Sequence, residues 1–222
     1  MKCPVYIEDW VAWTADSEFS IRPGHAVSER LGESILPRML RRRLSATGRA
    51  VCDSASLLDD GSGVPVIHGS RHGDVSSSLT MLRALEAGDP VSPSSFSMSV
   101  HNAVLGVYSI ARQHRGPTQA LGACGNEFEA LIAEATGYLA TGKQAVIALF
   151  SEGEIPQSLR AHTEFPSSPC VVALRLTAGT GQRLLSEPAS SAQRPTPLQV
   201  IDWLSQDAAS LTARQRWFLE CV

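Results

Sequence analysis

Residues 116–131 read GPTQALGACGNEFEAL and predict a short strand, a sharp turn and a helix in direct succession. The strand is predicted over TQALGA, and the helix begins near Asn126, where Phe128 and Leu131 start one apolar face. Cys124 stands in the turn between them. A helix N-terminus places positive partial charge beside such a cysteine and stabilises its thiolate. The stretch therefore indicates an α/β fold and raises the question whether Cys124 is a nucleophile.

Two features argue against that role for Cys124. Glu127 and Glu129 lie in the first turn of the predicted helix, and their negative charge opposes a neighbouring thiolate. A catalytic cysteine also needs a base, which is normally a histidine held by a third group. The six histidines form no recognisable Cys/His signature, so each is predicted to lie on the surface or in a hydrogen-bonded core: His25, His68, His72, His101, His114 and His162.

The rest of the chain alternates predicted strands with predicted helices. Strands are predicted over PVYIEDWVAW, VPVIHG, QAVIALF and CVVALRL. The last two are apolar almost throughout, as in strands that are buried on both faces of a parallel sheet. Apolar residues at helical spacing lie between the second strand and residues 116–131, and they recur after the turn at Cys124. Helices are therefore predicted in both places. The pattern predicts an α/β layered domain over residues 1–178 with a largely parallel sheet.

The C-terminal part of the chain has a different composition. Residues 179–197 are rich in Gly, Ser, Ala and Pro and are predicted to form a linker. Residues 198–222 carry apolar side chains at helical spacing and predict two short helices. This tail is expected to dock on the main domain or on a partner.

Composition narrows the class of protein. The net charge of −3 gives no bias towards nucleic acid. No apolar run is long enough to predict a membrane span, and the N-terminus does not resemble a secretory signal, so a cytoplasmic protein is expected. No cofactor is expected. Neither a disulfide framework nor a thiolate zinc site is expected, because the five cysteines are widely spread and form no CxxC pair: Cys3, Cys52, Cys124, Cys170 and Cys221.

Three further motifs allow both a functional and a structural interpretation. Residues 68–74, HGSRHGD, form a polar turn whose backbone N–H groups could bind an anion. Glu152 and Glu154 follow a buried strand, where α/β enzymes often keep catalytic groups. For the turn, an incidental arrangement is the preferred interpretation, whereas a solvated loop explains the two glutamates equally well. A basic segment is either a solvated helix face or a docking patch for an acidic partner: Arg38, Arg41, Arg42, Arg43 and Arg49.

Residues 92–156 resemble the N-terminal half of a β-ketoacyl-acyl carrier protein synthase. The order of elements matches: a helix, the RGP tripeptide, a strand, the nucleophile elbow, a helix and a buried strand. A looser likeness extends over roughly residues 1–178. The resemblance implies half of a thiolase-like fold, with a five-stranded, mixed but mostly parallel sheet between helical layers. The markers in this sequence are Pro93, Phe96, Asn102, Gly106, Ile110 and Arg115-Gly116-Pro117.

A narrower resemblance is to the ketosynthase-like chain length factor subunits of bacterial aryl polyene pathways. RMLRRRLSATGRA and VIHGSRHGD are similar to the early helix and second strand of those subunits. In the family, the nucleophile follows the GP pair at a fixed distance, which here falls on Gly125; a one-residue gap would put Cys124 there instead. Two catalytic histidines come from the family's C-terminal half, which this chain is expected to lack. The resemblance therefore implies a non-catalytic subunit.

The resemblance also implies partners. Thiolase-fold enzymes dimerise through the edge strand before the elbow, so a heterodimer with a full-length ketosynthase is expected. An acyl carrier protein would deliver the acyl chain, and the basic segment is the candidate docking site for it. Ser95, Phe96 and Met98 are candidates for limiting the length of the acyl tunnel, or else they pack in the core. The candidate interface strand comprises Thr118, Gln119, Ala120, Leu121, Gly122 and Ala123.

Two other functions stay open from the sequence. A small acyltransferase or hydrolase would use Cys124 as its nucleophile. A degenerate remnant of a ketosynthase would bind only the acyl carrier protein, through the basic segment.

Overall fold

One mixed sheet with helices on both faces organises the computed structural model, which describes residues 3–16, 20–21, 25–26, 35–205 and 208–220. A single turn of 3₁₀ helix at Arg160–His162 precedes β7. The elements in chain order are β1 (Val5–Thr14), β2 (Ser20–Ile21), β3 (His25–Ala26), α1 (Arg38–Arg41), α2 (Ala46–Leu58), β4 (Val66–Gly69), α3 (Val75–Glu86), α4 (Pro93–Ser99), α5 (Ala103–Arg112), β5 (Thr118–Leu121), α6 (Glu127–Ala140), β6 (Ala145–Glu152), β7 (Cys170–Thr177), β8 (Gln182–Pro188), α7 (Pro197–Leu204), β9 (Leu211–Thr212) and β10 (Gln215–Leu219).

The sheet corrects two expectations from the sequence. It has eight strands rather than five, in the order β5-β4-β6-β7-β1-β8-β10-β9, and β2 pairs with β3 separately. Only β4 is paired in parallel, with β5 on one side and β6 on the other, while the remaining ladders are antiparallel. Parallel pairing therefore does not predominate. Apolar runs indicate burial on both faces, but they do not specify the direction of the neighbouring strand.

The predicted linker and the second predicted tail helix are also corrected. Residues 182–188 form β8, which continues the sheet beside β1, with Leu184 opposite Val5. Residues 215–219 form β10 beside β8, and Trp217 packs edge-on against Phe128 of α6 with ring centroids 5.5 Å apart. Only the first tail helix matches the prediction, as α7. Tertiary packing of alternate side chains therefore outweighs the Gly/Ser/Pro-rich composition and the helical spacing.

Both faces of the sheet are covered, which explains the continuous apolar strands. Ile67 of β4 and Ala148 of β6 pack in one cluster with α6 and α7. Val66 and Ile147 lie on the opposite face, in a second cluster with α2 and α5. Successive strand residues thus alternate between two cores. Within the described ranges, no helix combines the length and the apolar character needed to cross a bilayer.

Arg175 interrupts the apolar run of β7 because it joins three elements. Its Nε lies 2.8 Å from Glu8 Oε2 on β1, and its Nη2 lies 2.7 Å from Asp60 Oδ2. Its Nη1 donates to the carbonyl of Leu58 at the end of α2, at 2.9 Å. The side chain therefore ends α2 and fixes it to the two central strands, while the guanidinium keeps hydrogen-bond partners.

Candidate functional site at the turn between β5 and α6

The turn between β5 and α6 has the tight backbone expected of an elbow. Cys124 has a φ of +52° and Gly125 a φ of +103°, so two successive residues depart from ordinary backbone conformations. The thiol of Cys124 is free and exposed. Two of the described histidines contact other groups: His68 hydrogen-bonds Ser151, and His72 contacts Glu152 and Thr163. The ring of His101 lies beside Gly122, two residues before the cysteine. The strand, turn and helix predicted from the sequence are therefore present, and no hydrogen bond joins a histidine to Cys124 within the part of the chain that the structure describes.

Glu127 is the first residue of helix α6, and its side chain is buried at the N-terminus of that helix. It is only 1% exposed, and its Oε1 accepts a hydrogen bond from the Gly125 N–H at 2.8 Å. Its Oε2 lies 3.6 Å from Nε of Arg71. The backbone donor at the elbow is thus used by a buried carboxylate of the chain itself. This negative charge stands where a thiolate or an oxyanion would need stabilisation.

Arg194 covers Gly125. A Cβ atom built on Gly125 would lie 2.4 Å from Cδ and 2.9 Å from Nε of Arg194, so the arginine stem fills the space of any side chain there. Arg71 Nη2 donates to the carbonyl of Arg194 at 3.3 Å and so holds this segment near the elbow. Counted without a gap, the family's spacing thus falls on a glycine whose side-chain space is occupied by the stem of an exposed arginine; with a one-residue gap it falls on Cys124.

The turn HGSRHGD does bind an anion, and that anion is Glu152 of the same chain. Glu152 is 3% exposed and accepts a hydrogen bond from the backbone N–H of Arg71. Nδ1 of His72 lies 2.8 Å from Glu152 Oε2, and Nε2 of the same ring lies 2.6 Å from Thr163 Oγ1. Glu154, in contrast, is exposed and pairs with Arg160 at 3.8 Å. The two glutamates thus have different surroundings, and the buried one holds the turn beside the elbow.

The candidate interface strand is β5, at an edge of the sheet; it ends at Leu121, so Gly122 and Ala123 lie beyond it rather than within it as predicted. It pairs only with β4 among the described strands, with Ala120 opposite His68. The carbonyls of Pro117 and Leu121 accept from β4 and from Ser70, so alternate residues turn their backbone groups inward. Thr118 and Ala120 then present their N–H and C=O groups outward. The side chains of the strand are small or half-buried, so another strand has access to this edge.

The candidate tunnel residues lie on α4 and face two different ways. Ser95 and Phe96 are exposed, and Phe96 retains 61% of its accessible surface. Met98 is half-buried and lines a cavity beneath the helix. Phe96 therefore does not pack in the core of this chain, whereas Met98 faces inward.

The basic segment spans α1 and the start of α2 rather than one helix. Arg38, Arg41, Arg42 and Arg43 are exposed. Arg49 is half-buried, and its Nη1 donates to the carbonyl of Leu44 at 3.0 Å, which supports the loop between the two helices. Because their side chains are exposed, four of the five arginines remain available to a partner: Arg38, Arg41, Arg42 and Arg43.

Sequence reasoning missed the two arginines that close the elbow. Arg71 lies in the turn HGSRHGD, but nothing near it in sequence indicates Glu127 or Arg194 as its partners. Arg194 lies in the stretch predicted to be a linker. Among the described residues, no group of three or more His, Cys, Asp or Glu side chains is arranged to hold a metal ion.

Comparison with known proteins identifies the family. The sequence matches the model of the β-ketoacyl synthase N-terminal domain over residues 10–218. The chain therefore belongs to the β-ketoacyl synthase N-terminal domain family. Among curated protein sequences, none matches the chain significantly.

Solved structures give the more particular likeness. The chain is similar to one from the complex of ketosynthase ApeO with its chain length factor ApeC from Xenorhabdus doucetiae, with 25% identity, a TM-score of 0.76, and coverage of 96% of this chain and 98% of that chain. It is also similar to the ishigamide ketosynthase/chain length factor, at 13% identity, TM-score 0.60 and coverage of 83% and 67%. A β-ketoacyl synthase from Burkholderia phymatum STM815 gives 15% identity, TM-score 0.56 and coverage of 93% and 70%. The fold is the thiolase-like ketosynthase fold.

Proposed function

We propose that this chain is a ketosynthase-like chain length factor that pairs with a full-length ketosynthase in the cytoplasm and shapes its acyl tunnel during aryl polyene synthesis. The observation that carries the proposal is the similarity to a chain of the ApeO–ApeC complex. The match covers 98% of that chain and 96% of this one, so the two chains have nearly the same length. The chain of the ishigamide pair is covered only to 67%. Similar length supports the same kind of subunit.

The elbow supports a non-catalytic role. Counted without a gap, the family's spacing gives the nucleophile position to Gly125, and Arg194 fills the space above it. The N–H of Gly125 is bonded to Glu127, so it is not free to stabilise an oxyanion. Condensation would therefore depend on the cysteine of the partner subunit, and this chain would contribute shape and stability.

The surface around the edge strand supports pairing. Several large apolar side chains on the three consecutive helices α3, α4 and α5, which precede β5, are exposed in the single chain. Exposed apolar groups clustered on neighbouring elements are typical of an interface. The open backbone groups of β5 add a second means of association, by strand pairing. The apolar residues are Leu82, Leu85, Phe96, Val100 and Ile110.

We expect Phe96→Ala to shift the products of the heterodimer towards longer acyl chains. Phe96 is exposed here, so in the pair its ring is available to close the far end of the partner's tunnel. Its removal would lengthen the space open to the acyl chain. Mass spectrometry of carrier-bound products measures the shift, with Ser94→Ala on the same helix as the matched control. An unchanged product distribution for Phe96→Ala would remove this residue from the tunnel.

We expect Cys124→Ala to leave the activity of the heterodimer within about twofold of the wild type, because no described histidine is hydrogen-bonded to the thiol. If the chain were instead an acyltransferase or hydrolase using Cys124, the loss would be of the order of a thousandfold or more. Cys3→Ala, which changes a half-buried thiol elsewhere, is the control.

Alkylation by iodoacetamide across a range of pH measures the reactivity of the Cys124 thiol independently of the activity assay. Burial, with a smaller effect of Asp53, raises the pKa of the Cys52 thiol to about 12, and burial likewise raises the pKa of Cys170. Those two thiols therefore stay protonated and unreactive near neutral pH. A thiolate at Cys124 that reacts rapidly below pH 7 would contradict the non-catalytic proposal.

We expect joint replacement of Arg38, Arg41, Arg42 and Arg43 by Glu to weaken binding of the acyl carrier protein by about tenfold or more at low salt. The reason is the loss of an exposed cationic surface opposite an acidic partner. Arg214→Glu, at another exposed arginine, is the control. Affinity is measured at several salt concentrations with and without the ketosynthase. Strong, arginine-dependent binding by this chain alone would favour a carrier-binding remnant over a chain length factor.

A further inference from the structure

A cavity of about 360 Å³ lies on the α2 side of the sheet, on the face opposite to α6. The alternation of β4 puts His68 on the same face as Val66, and that of β6 puts Ser151 on the same face as Leu149. Val51 of α2, Met98 of α4 and Val104 of α5 close the cavity. The site is thus separate from the packed helix that follows Cys124. Its volume falls within the range of cavities that hold small ligands.

Two histidines stand among the polar residues that line this cavity. His68 is 4% exposed, and its Nε2 lies 2.8 Å from Oγ of Ser151. The other ring nitrogen, Nδ1, is buried and has no hydrogen-bond partner among the described residues. Nε2 of His101 is likewise buried and unbonded within the same part of the chain, and the two rings meet edge-to-face at 5.8 Å. Buried polar atoms are nearly always hydrogen-bonded, so these two nitrogens point to a bound molecule.

Both imidazoles are neutral at physiological pH. Burial, with a smaller effect of His101, lowers the pKa of His68 to about 3. Burial also lowers the pKa of His101, although the carboxylates of Glu152 and Glu127 oppose the shift. A neutral imidazole has one N–H donor and one acceptor nitrogen. His68 Nδ1 therefore offers one uncharged hydrogen bond, and a hydroxyl group can match it whether that nitrogen donates or accepts.

The charges around the cavity exclude an anionic ligand. Of the lining residues that the structure describes, only Asp74 and Glu154 carry charge, and both are acidic. Asp74 caps α3 by accepting from Ser77 N at 3.1 Å. No lysine or arginine stands among these lining residues to neutralise a carboxylate or a phosphate. A charged headgroup would lose its hydration there without a counter-ion.

The rest of the wall combines apolar side chains with serine and threonine side chains, such as those of Ser45 and Thr47. Trp13 and Leu44 join Val51 and Val104, and each of the four presents a hydrocarbon surface to the cavity. An apolar body with one neutral polar group fits this distribution, since most ligand sites combine an apolar lining with a few placed polar atoms.

We propose that this cavity binds a small, neutral, hydroxyl-bearing apolar molecule, with its hydroxyl on Nδ1 of His68 and its apolar body against Val51 and Val104. This binding site is additional to the pairing with a ketosynthase and does not depend on it.

Isothermal titration calorimetry of the purified full chain with 2-naphthol tests the proposal. We expect one binding site, with naphthalene, which lacks the hydroxyl, and 2-naphthoate, which is anionic, each binding about tenfold or more weakly. His68→Leu should reduce 2-naphthol affinity to that of naphthalene. The control is His162→Leu, at an exposed histidine, which should bind as the wild type does.

A second variant allows the proposal to be tested even if His68→Leu fails to fold. Val104 is half-buried and lines the cavity, so Val104→Phe narrows the cavity while both histidines are kept. This variant should abolish binding of both 2-naphthol and naphthalene. Thermal melting of each variant establishes folding first. Absence of 2-naphthol binding by the wild type, or binding that survives Val104→Phe unchanged, would overturn the proposal. Equal affinity for 2-naphthol and 2-naphthoate would overturn the assignment of a neutral ligand.

Discussion

The variant Ala120→Pro is expected to bind a full-length ketosynthase about a hundredfold more weakly than the wild type does. Ala120 lies on the edge strand β5, where the carbonyls of Pro117 and Leu121 accept hydrogen bonds from the inner side. Alternation along the strand then directs the Ala120 N–H outward, towards a pairing strand. Proline removes that donor and puts its ring in the path of the partner. Surface plasmon resonance with immobilised ketosynthase measures the loss.

The design separates loss of pairing from loss of folding. Proline is tolerated on an edge strand where the N–H faces away from the sheet, so the melting temperature of Ala120→Pro should change little. Ala120→Thr keeps the N–H and has good strand propensity, and it should bind nearly as the wild type does. Equal affinity of Ala120→Pro and wild type would show that β5 does not pair with the ketosynthase.

Gly125→Ala is expected to lower the free energy of unfolding by about 2 to 3 kcal/mol. The φ of +103° is unfavourable for any residue with a Cβ, and that Cβ would lie 2.4 Å from Cδ of Arg194. Either the arginine moves away from the elbow or the turn changes its conformation. Urea denaturation followed by circular dichroism measures the difference.

Two matched variants identify the cause of that loss. Gly137→Ala, in the helix α6 that follows the elbow, adds a methyl group with no atom within 4 Å apart from its adjacent residues and the nearby backbone of its own helix, and it should stabilise the chain by up to about 1 kcal/mol. Arg194→Ala combined with Gly125→Ala should recover the steric part of the loss but not the part due to φ. If Gly125→Ala unfolds at the same urea concentration as the wild type, the elbow is not closed by Arg194 as described.

The elements that could be predicted from sequence are those whose signal is local. QAVIALF and CVVALRL became β6 and β7, and PVYIEDWVAW became β1, because long apolar or alternating runs indicate strands without reference to a partner. The helix after Asn126 followed from its apolar face in the same way. The direction of strand pairing carries no such local signal, and for that reason the mostly parallel sheet was wrong.

The elements that were missed depend on contacts between distant parts of the chain. QRLLSEP is a strand because Leu184 reaches Val5, a residue far away in sequence, although its surroundings are rich in Gly, Ser and Pro. QRWFL is a strand because Trp217 packs on Phe128. At the elbow, the predicted strand, turn and helix are confirmed, and Glu127 was predicted to oppose a thiolate from its position in the first turn of the helix. The closure by Arg71 and Arg194 brings together three separate segments, and spacing within any one of them does not reveal it.

The most direct test of the central claim is the chain length of products made by a full-length ketosynthase of the host with and without this subunit. Purified ketosynthase, acyl carrier protein and malonyl donor are combined in both arms, and carrier-bound products are analysed by mass spectrometry. We expect a 1:1 complex in the arm that contains this chain, with a product length that differs from that of the arm without it and changes again with Phe96→Ala. Identical products and rates in the presence and absence of this chain, with no complex formed, would contradict the central claim.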